Sequence, residues 1–138
     1  MATVGENIRR YRLERSWSVV KLANEVGMTE GAIRHYENGI RTPGEEQMDK
    51  MAKALDVSPE MLEDHRIRTA RDLVGTLLQL EEEFGIVPDE HGDGLRIDRK
   101  AESAQKTAAA LHAWRGMRRQ LIAGEITREE YEAWKRKF

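Results

Sequence analysis

Residues 18–43 read SVVKLANEVGMTEGAIRHYENGIRTP, and the punctuation in that stretch predicts two short helices joined by a tight turn. Ser18 is a good N-cap for a helix carrying Val20, Leu22, Ala23 and Val26, because its hydroxyl can accept from a first-turn N–H that has no partner within the helix. Gly27 stands where that helix must end, and glycine enters the left-handed region without steric cost. Thr29 caps the next helix, over about 30–38, which turns Ile33 and Tyr36 inward and leaves positions 30, 31, 34 and 35 outward. Asn38-Gly39 then closes it in a turn-forming pair.

The flanking sequence continues in the same manner. A first helix over about 4–15 places Ile8 and Tyr11 inward and offers Arg9, Arg10, Arg12 and Arg15 on its other faces. Pro43-Gly44 precedes an acidic first turn at Glu45 and Glu46 and the periodic set Met48, Met51, Ala52 and Leu55, while Ser58-Pro59 opens a fifth helix. A boundary near Asp64–Arg66 then divides the chain into residues 1–64 and 65–138. In the second region a helix over about 66–84 carries the stripe Ile67, Ala70, Val74, Leu77 and Phe84, widened by Leu73 and Leu80. Ile86-Val87-Pro88 and Leu95-Arg96-Ile97, around the turn-rich 89–94, read as a short hairpin. A helix over about 99–123 has Ala110, Trp114, Met117 and Leu121 at helical spacing and stops at Gly124. Thr127 to Glu130 form a capping box, Ile126 and Tyr131 a hydrophobic staple, and Tyr131, Trp134 and Phe138 the apolar face of the last helix.

A helix pair of this kind reads DNA by laying its second helix in the major groove while the first braces across the backbone. It needs a tight turn, a small residue where the helices cross, and polar residues at the start of the second helix; Gly27, Ala23 and positions 30, 31, 34 and 35 supply them. The Leu-Ala-x-x-x-Gly core, the block Ile33-x-x-Tyr36-Glu37-Asn38-Gly39 and the trailing Pro43 stand in the register of the Cro/CI-type helix-turn-helix family, which residues 1–64 resemble. Val57-Ser58-Pro59 also resembles that family's five-helix, lambda-repressor-like domain. The resemblance implies that Thr29, Glu30, Gly31, Arg34 and His35 lie at base edges, and that Arg10, Ser18, Asn38 and Arg41 lie near phosphates. Two positions depart from the family: Val19 stands where Gln is common, and Gly31 where a side chain is common. These losses point to weaker direct readout or more reliance on DNA shape. Arg34 is the leading base reader, since a guanidinium binds guanine O6 and N7 bidentately, and Glu30 can accept from cytosine N4.

Composition bounds what else the chain can do. At 138 residues with net charge −2, neither region is a polycation, so DNA contact must come from a local patch. There is no cysteine, which excludes disulfides, thiolate metal sites and a cysteine nucleophile. No apolar run is long enough for a membrane span and no leader pattern opens the chain, so a cytoplasmic location is expected. His91, Asp89, Asp93 and Asp98 surround a Gly-rich turn, but their spacing matches neither a calcium loop nor a zinc motif, and a solvated loop is the favoured reading. His65 and His112 read as surface positions, and Trp114, Trp134, Tyr131 and Phe138 as packing residues. No catalytic set, metal site or cofactor is expected.

The expectation is an all-α protein in which a five-helix DNA-binding domain precedes a mainly helical dimerisation region, residues 65–138, with a short β-hairpin. It would act on double-stranded DNA as a homodimeric transcription regulator, with repression the favoured sign. The competing reading is a protein-interaction module, antitoxin-like, that uses the same fold without an operator. An enzyme working through the Asp/His turn is the weakest reading, because no base, nucleophile and stabiliser assemble there.

Overall fold

In a computed structural model that describes residues 2–138, most helix starts have a side-chain cap. Helix α1 (Val4–Glu14) starts at a capping box in which the Thr3 hydroxyl accepts from the Glu6 N–H and the Glu6 carboxylate accepts from the Thr3 N–H. Ser18 and Thr29 cap α2 (Val19–Val26) and α3 (Glu30–Glu37) in the same sense, accepting from the N–H groups of Lys21 and Ala32. Gly27 ends α2 at φ 67°, the left-handed geometry the turn requires. Helix α4 (Glu45–Leu55) follows, and then a single 3₁₀ turn, Pro59–Met61.

That turn replaces the expected fifth helix. The N–H groups of Met61 and Leu62 bond back three residues, to the carbonyls of Ser58 and Pro59. The side chain of Asn7 donates to the carbonyls of Leu62 and Glu63, so those acceptors bond to a buried amide on α1 instead of a further helical turn.

These elements, with the chain as far as Arg66 and with Glu132–Phe138, form one compact unit. Its core joins Ile8 and Tyr11 of α1, Leu22, Ala23 and Val26 of α2, Ile33 and Tyr36 of α3, Met51, Ala52 and Leu55 of α4, and Val57 and Leu62. Helix α1 lies close against the end of α3: a Cβ at Gly5 would come within 2.3 Å of the Tyr36 carbonyl oxygen, so only glycine fits there. The Ser58 N–H donates to the Arg136 carbonyl at 2.7 Å, Arg136 pairs with Glu14 at 3.4 Å, and Lys137 pairs with Asp56 at 3.0 Å. The reading of 65–138 as one region thus differs from the structure at its end, because the last seven residues carry bonding partners for the N-terminal unit.

The second unit, Ile67–Tyr131, contains α5 (Ala70–Phe84), strands β1 (Ile86–Pro88) and β2 (Leu95–Ile97), α6 (Ala104–Ile122) and the start of α7 (Arg128–Lys137). Helix α5 begins at 70 rather than 66 because Thr69 and Asp72 form a reciprocal capping box, which leaves Ile67 outside the helix. The strands pair antiparallel with Ile86 opposite Ile97 and Pro88 opposite Leu95. Pro88 lacks an N–H but sits in a two-stranded ribbon, where an edge position tolerates it. Helix α6 starts at 104 rather than 99 because Asp98 turns the chain, its carboxylate accepting from the Lys100 N–H and its carbonyl from the Ala101 N–H. Burial here is sparse. Val87, Ala104 and Tyr131 are buried, and Trp114 donates its indole N–H to the Tyr131 hydroxyl at 2.7 Å. No helix among the described residues is long and apolar enough to cross a membrane.

Candidate nucleic-acid interface

The surface of α3 is built by division of labour around the helix. Ile33 and Tyr36 point into the core, so the positions offset by roughly half a turn, Glu30, Gly31, Arg34 and His35, are all exposed. Thr29 is exposed as well, but its hydroxyl oxygen serves as the cap of the helix. Arg34 is held by its neighbour one turn back: its Nε and Nη2 both donate to Oε1 of Glu30, at 3.0 and 2.6 Å. The pair is solvent-exposed, so it adds little to stability, and it turns the guanidinium toward Glu30. At Gly31 a Cβ would meet no atom within 4 Å and the backbone is ordinary, so neither packing nor conformation requires glycine there.

The residues expected near phosphate are likewise exposed and bracket α3 and α2. Ser18 caps α2 through its side chain. Asn38 is the C-cap of α3, and Arg41 lines a surface cavity with Tyr36, Asn38 and Thr42. Arg10 stacks on the ring of Tyr11, its Cζ 4.5 Å from the ring centre, and also donates to the Tyr11 hydroxyl.

One arginine of the expected α1 face is not on the surface. Arg12 is buried and grips Glu37 with two parallel hydrogen bonds, Nε to Oε1 at 2.6 Å and Nη2 to Oε2 at 2.8 Å, while Nη1 donates to the Trp17 carbonyl at 2.7 Å. Hydrogen bonding to Glu37 outweighs the opposing desolvation and, with Coulomb attraction, pushes the Arg12 pKa above its ordinary value. The clamp ties the C-terminal end of α3 to α1. Sequence reasoning missed it because one Arg and one Glu 25 residues apart carry no periodic signature. It also passed over Trp17, whose half-buried ring takes Arg15 at 4.7 Å and Lys21 at 5.5 Å, putting two cations beside the start of α2. The spacing of Arg15, Trp17 and Lys21 about the cap was the available signal.

The Asp/His turn is braced by its own carboxylates. Asp89 and Asp98 each turn a carboxylate back on the chain, accepting from the N–H groups of His91 and Lys100 two residues on.

Comparison with known proteins agrees with this geometry. A helix-turn-helix family model matches residues 8–62. The HTH-type transcriptional regulator SinR of Bacillus subtilis (strain 168) is 30% identical over 70 residues, a match covering 50% of this chain and 63% of that protein. The chain therefore spans just under two thirds of the length of that curated relative. Among solved structures, the biofilm regulator SinR in complex with DNA is 30% identical and similar over 45% of this chain and 100% of that one, with a TM-score of 0.44. The P22 c2 repressor bound to a synthetic operator is 30% identical over 46% of this chain and 97% of that one, with a TM-score of 0.45. Over residues 8–62 the chain is similar to the helix-turn-helix family.

Proposed function

We propose that the protein is a sequence-specific DNA-binding transcriptional regulator, a repressor in its simplest mode, that binds an inverted-repeat operator as a homodimer. The observation that carries this reading is the outward face of α3, where Glu30, Gly31, Arg34 and His35 stand exposed on a helix whose opposite face is locked into the core. Arg34 reads guanine through the guanidinium N–H groups that Glu30 leaves unoccupied, while Glu30 contributes by aiming it. His35 and Thr29 border the same strip, and the bare surface at Gly31 lets a base edge approach the helix backbone. Arg10, Ser18, Asn38 and Arg41 set the register on phosphates.

Residues up to 64 bind one half-site and residues 65–138 pair the two copies, with Glu132–Phe138 also bracing the DNA-binding unit. Support for pairing comes from the second unit, where Leu73, Val74, Leu78, Leu111, Trp114 and Ile122 are exposed. Two-fold symmetry then requires half-sites about 34–36 Å apart, or a multiple, so that both α3 helices enter the major groove on one side of the duplex. Selecting bound fragments from random DNA with the full chain tests the reading in one step. An enriched palindrome of that spacing is expected; no enrichment at low salt, where phosphate contacts are strongest, overturns it.

A further inference from the structure

Helix α5 leaves half-buried Leu77 and Phe84 on one side and exposes Val74 and Leu78 on another, Leu78 to 68%. Glu81 and Glu82 continue that exposed side one turn further on, three and four residues beyond Leu78. Helix α6 exposes Leu111 and Ile122, the latter to 78%, with Arg115 and Arg118 between them at helical spacing. Leu111, Arg115, Arg118 and Ile122 also line one shallow surface depression. Among the described residues none of Glu81, Glu82, Arg115 and Arg118 makes an ion pair. One helix therefore offers an apolar-acidic face and the other an apolar-basic face, and neither is used within the unit.

The two faces also match in spacing. Val74 to Glu81 and Leu111 to Arg118 are each seven residues, about 10 Å along a helix. Laid side by side they bring Val74 against Leu111 while Glu81 meets Arg118 and Leu78 meets the stem of Arg115, whose methylenes pack on apolar surface. We propose that the α5 face of one copy docks on the α6 face of a second copy, and the α6 face of the first on the α5 face of the second. This names the surface for the dimer proposed above and rests on that reading. A two-fold axis makes both contacts at once, each residue pair occurring twice, so a closed dimer uses both faces and leaves neither charge cluster exposed to a third chain. Charge complementarity selects a second copy over an unrelated apolar helix, because like charges placed face to face cost several kcal/mol.

The test is sedimentation of the full-length chain without DNA, so that the outcome is independent of base reading. Glu81→Lys with Glu82→Lys, and separately Arg115→Glu with Arg118→Glu, are each expected to raise the dimer dissociation constant at least about tenfold, since every reversed face then meets its own sign. Mixing the two variants in equal amounts is expected to restore the dimer, because lysines on α5 of one chain meet glutamates on α6 of the other, while its arginines meet the other chain's native glutamates. That rescue also shows that both variants fold. A wild-type chain monomeric at every concentration overturns the dimer and its surface together. A wild-type dimer unmoved by either double reversal, or reversals that mixing does not rescue, overturns the surface alone.

Discussion

Removing Glu37 should cost the first unit a large part of its stability. Its side chain is 6% exposed and that of Arg12 8%, so both charges have left water. Glu37→Ala leaves the Arg12 guanidinium buried with only the Trp17 carbonyl as a partner. Breaking one side of such a pair costs about 3–5 kcal/mol, against about 5–15 kcal/mol for a whole domain. Replacing both partners is a different perturbation: Arg12→Met with Glu37→Leu removes the two desolvated charges together, and comparable swaps are neutral or stabilising by about 1–4 kcal/mol. The double variant should therefore be far more stable than either single one, with a coupling energy of about 3 kcal/mol or more. Because the chain has two units, global melting mixes two transitions. Hydrogen exchange of the Leu22, Ile33 and Met51 amides, all in the first unit's core, reads the relevant one. A loss below about 1 kcal/mol for Glu37→Ala would refute the reasoning, since that is the cost of a solvated surface pair.

Three further outcomes are expected. Arg34→Ala should relax preference at one base position for about 1–3 kcal/mol, whereas Arg41→Ala should weaken all sequences alike and flatten the salt dependence, as measured by titration of the selected operator and its single-base variants; equal, sequence-independent losses would remove Arg34 from the base-reading role. Gly31→Ala should raise the stability of the first unit by about 0.5–1 kcal/mol, because the site has room and an ordinary backbone, yet weaken operator binding by placing a methyl on the reading surface; unchanged affinity would show that DNA does not approach there. Asp72 accepts from the Arg68 N–H first and from the hydroxyl and N–H of Thr69, which hold its pKa below the ordinary carboxylate value. A depressed folded pKa means that this cap stabilises above the ordinary range and fails as pH falls through the lowered value, so NMR should show the first turn of α5 fraying in acid, and Asp72→Asn should abolish that pH dependence.

What the sequence made legible follows the range of the interaction responsible. Ser18, Thr29, Gly27 and Thr127 act on residues within three or four positions, and the helix ends they imply stand where they were expected; Thr69 acts as locally, but the start of α5 was expected at 66 and stands at 70. The inward residues of α1 to α4 were legible for a related reason, since helical period and a short chain leave one way to bury Ile8, Leu22, Ile33 and Met51 together. The errors in the first unit lie where a distant partner decides. Pro59 begins a turn that stays 3₁₀ because Asn7, more than fifty residues earlier, holds the carbonyls at its end. Arg12 looked like one of four solvated arginines until Glu37 arrived from α3, and Arg136 and Lys137 find Glu14 and Asp56 far back along the chain.

The same contrast separates the two halves of the candidate function. The outward face of α3 was readable because one eight-residue helix carries it: fixing Ile33 and Tyr36 inside fixes Glu30, Gly31, Arg34 and His35 outside, whatever the rest of the chain does. What the sequence left open was that Glu30 and Arg34 pair with each other. For the second unit no such local rule exists. Its helices carry wide apolar stripes over a core too small to cover them, and a stripe records only that something must lie against it. The charges beside the stripes supply the missing information, because an acidic border on α5 and a basic border on α6 restrict which surface can close over each. That is why reversing two charges, and not truncating a leucine, is the perturbation able to distinguish a chosen partner from mere burial.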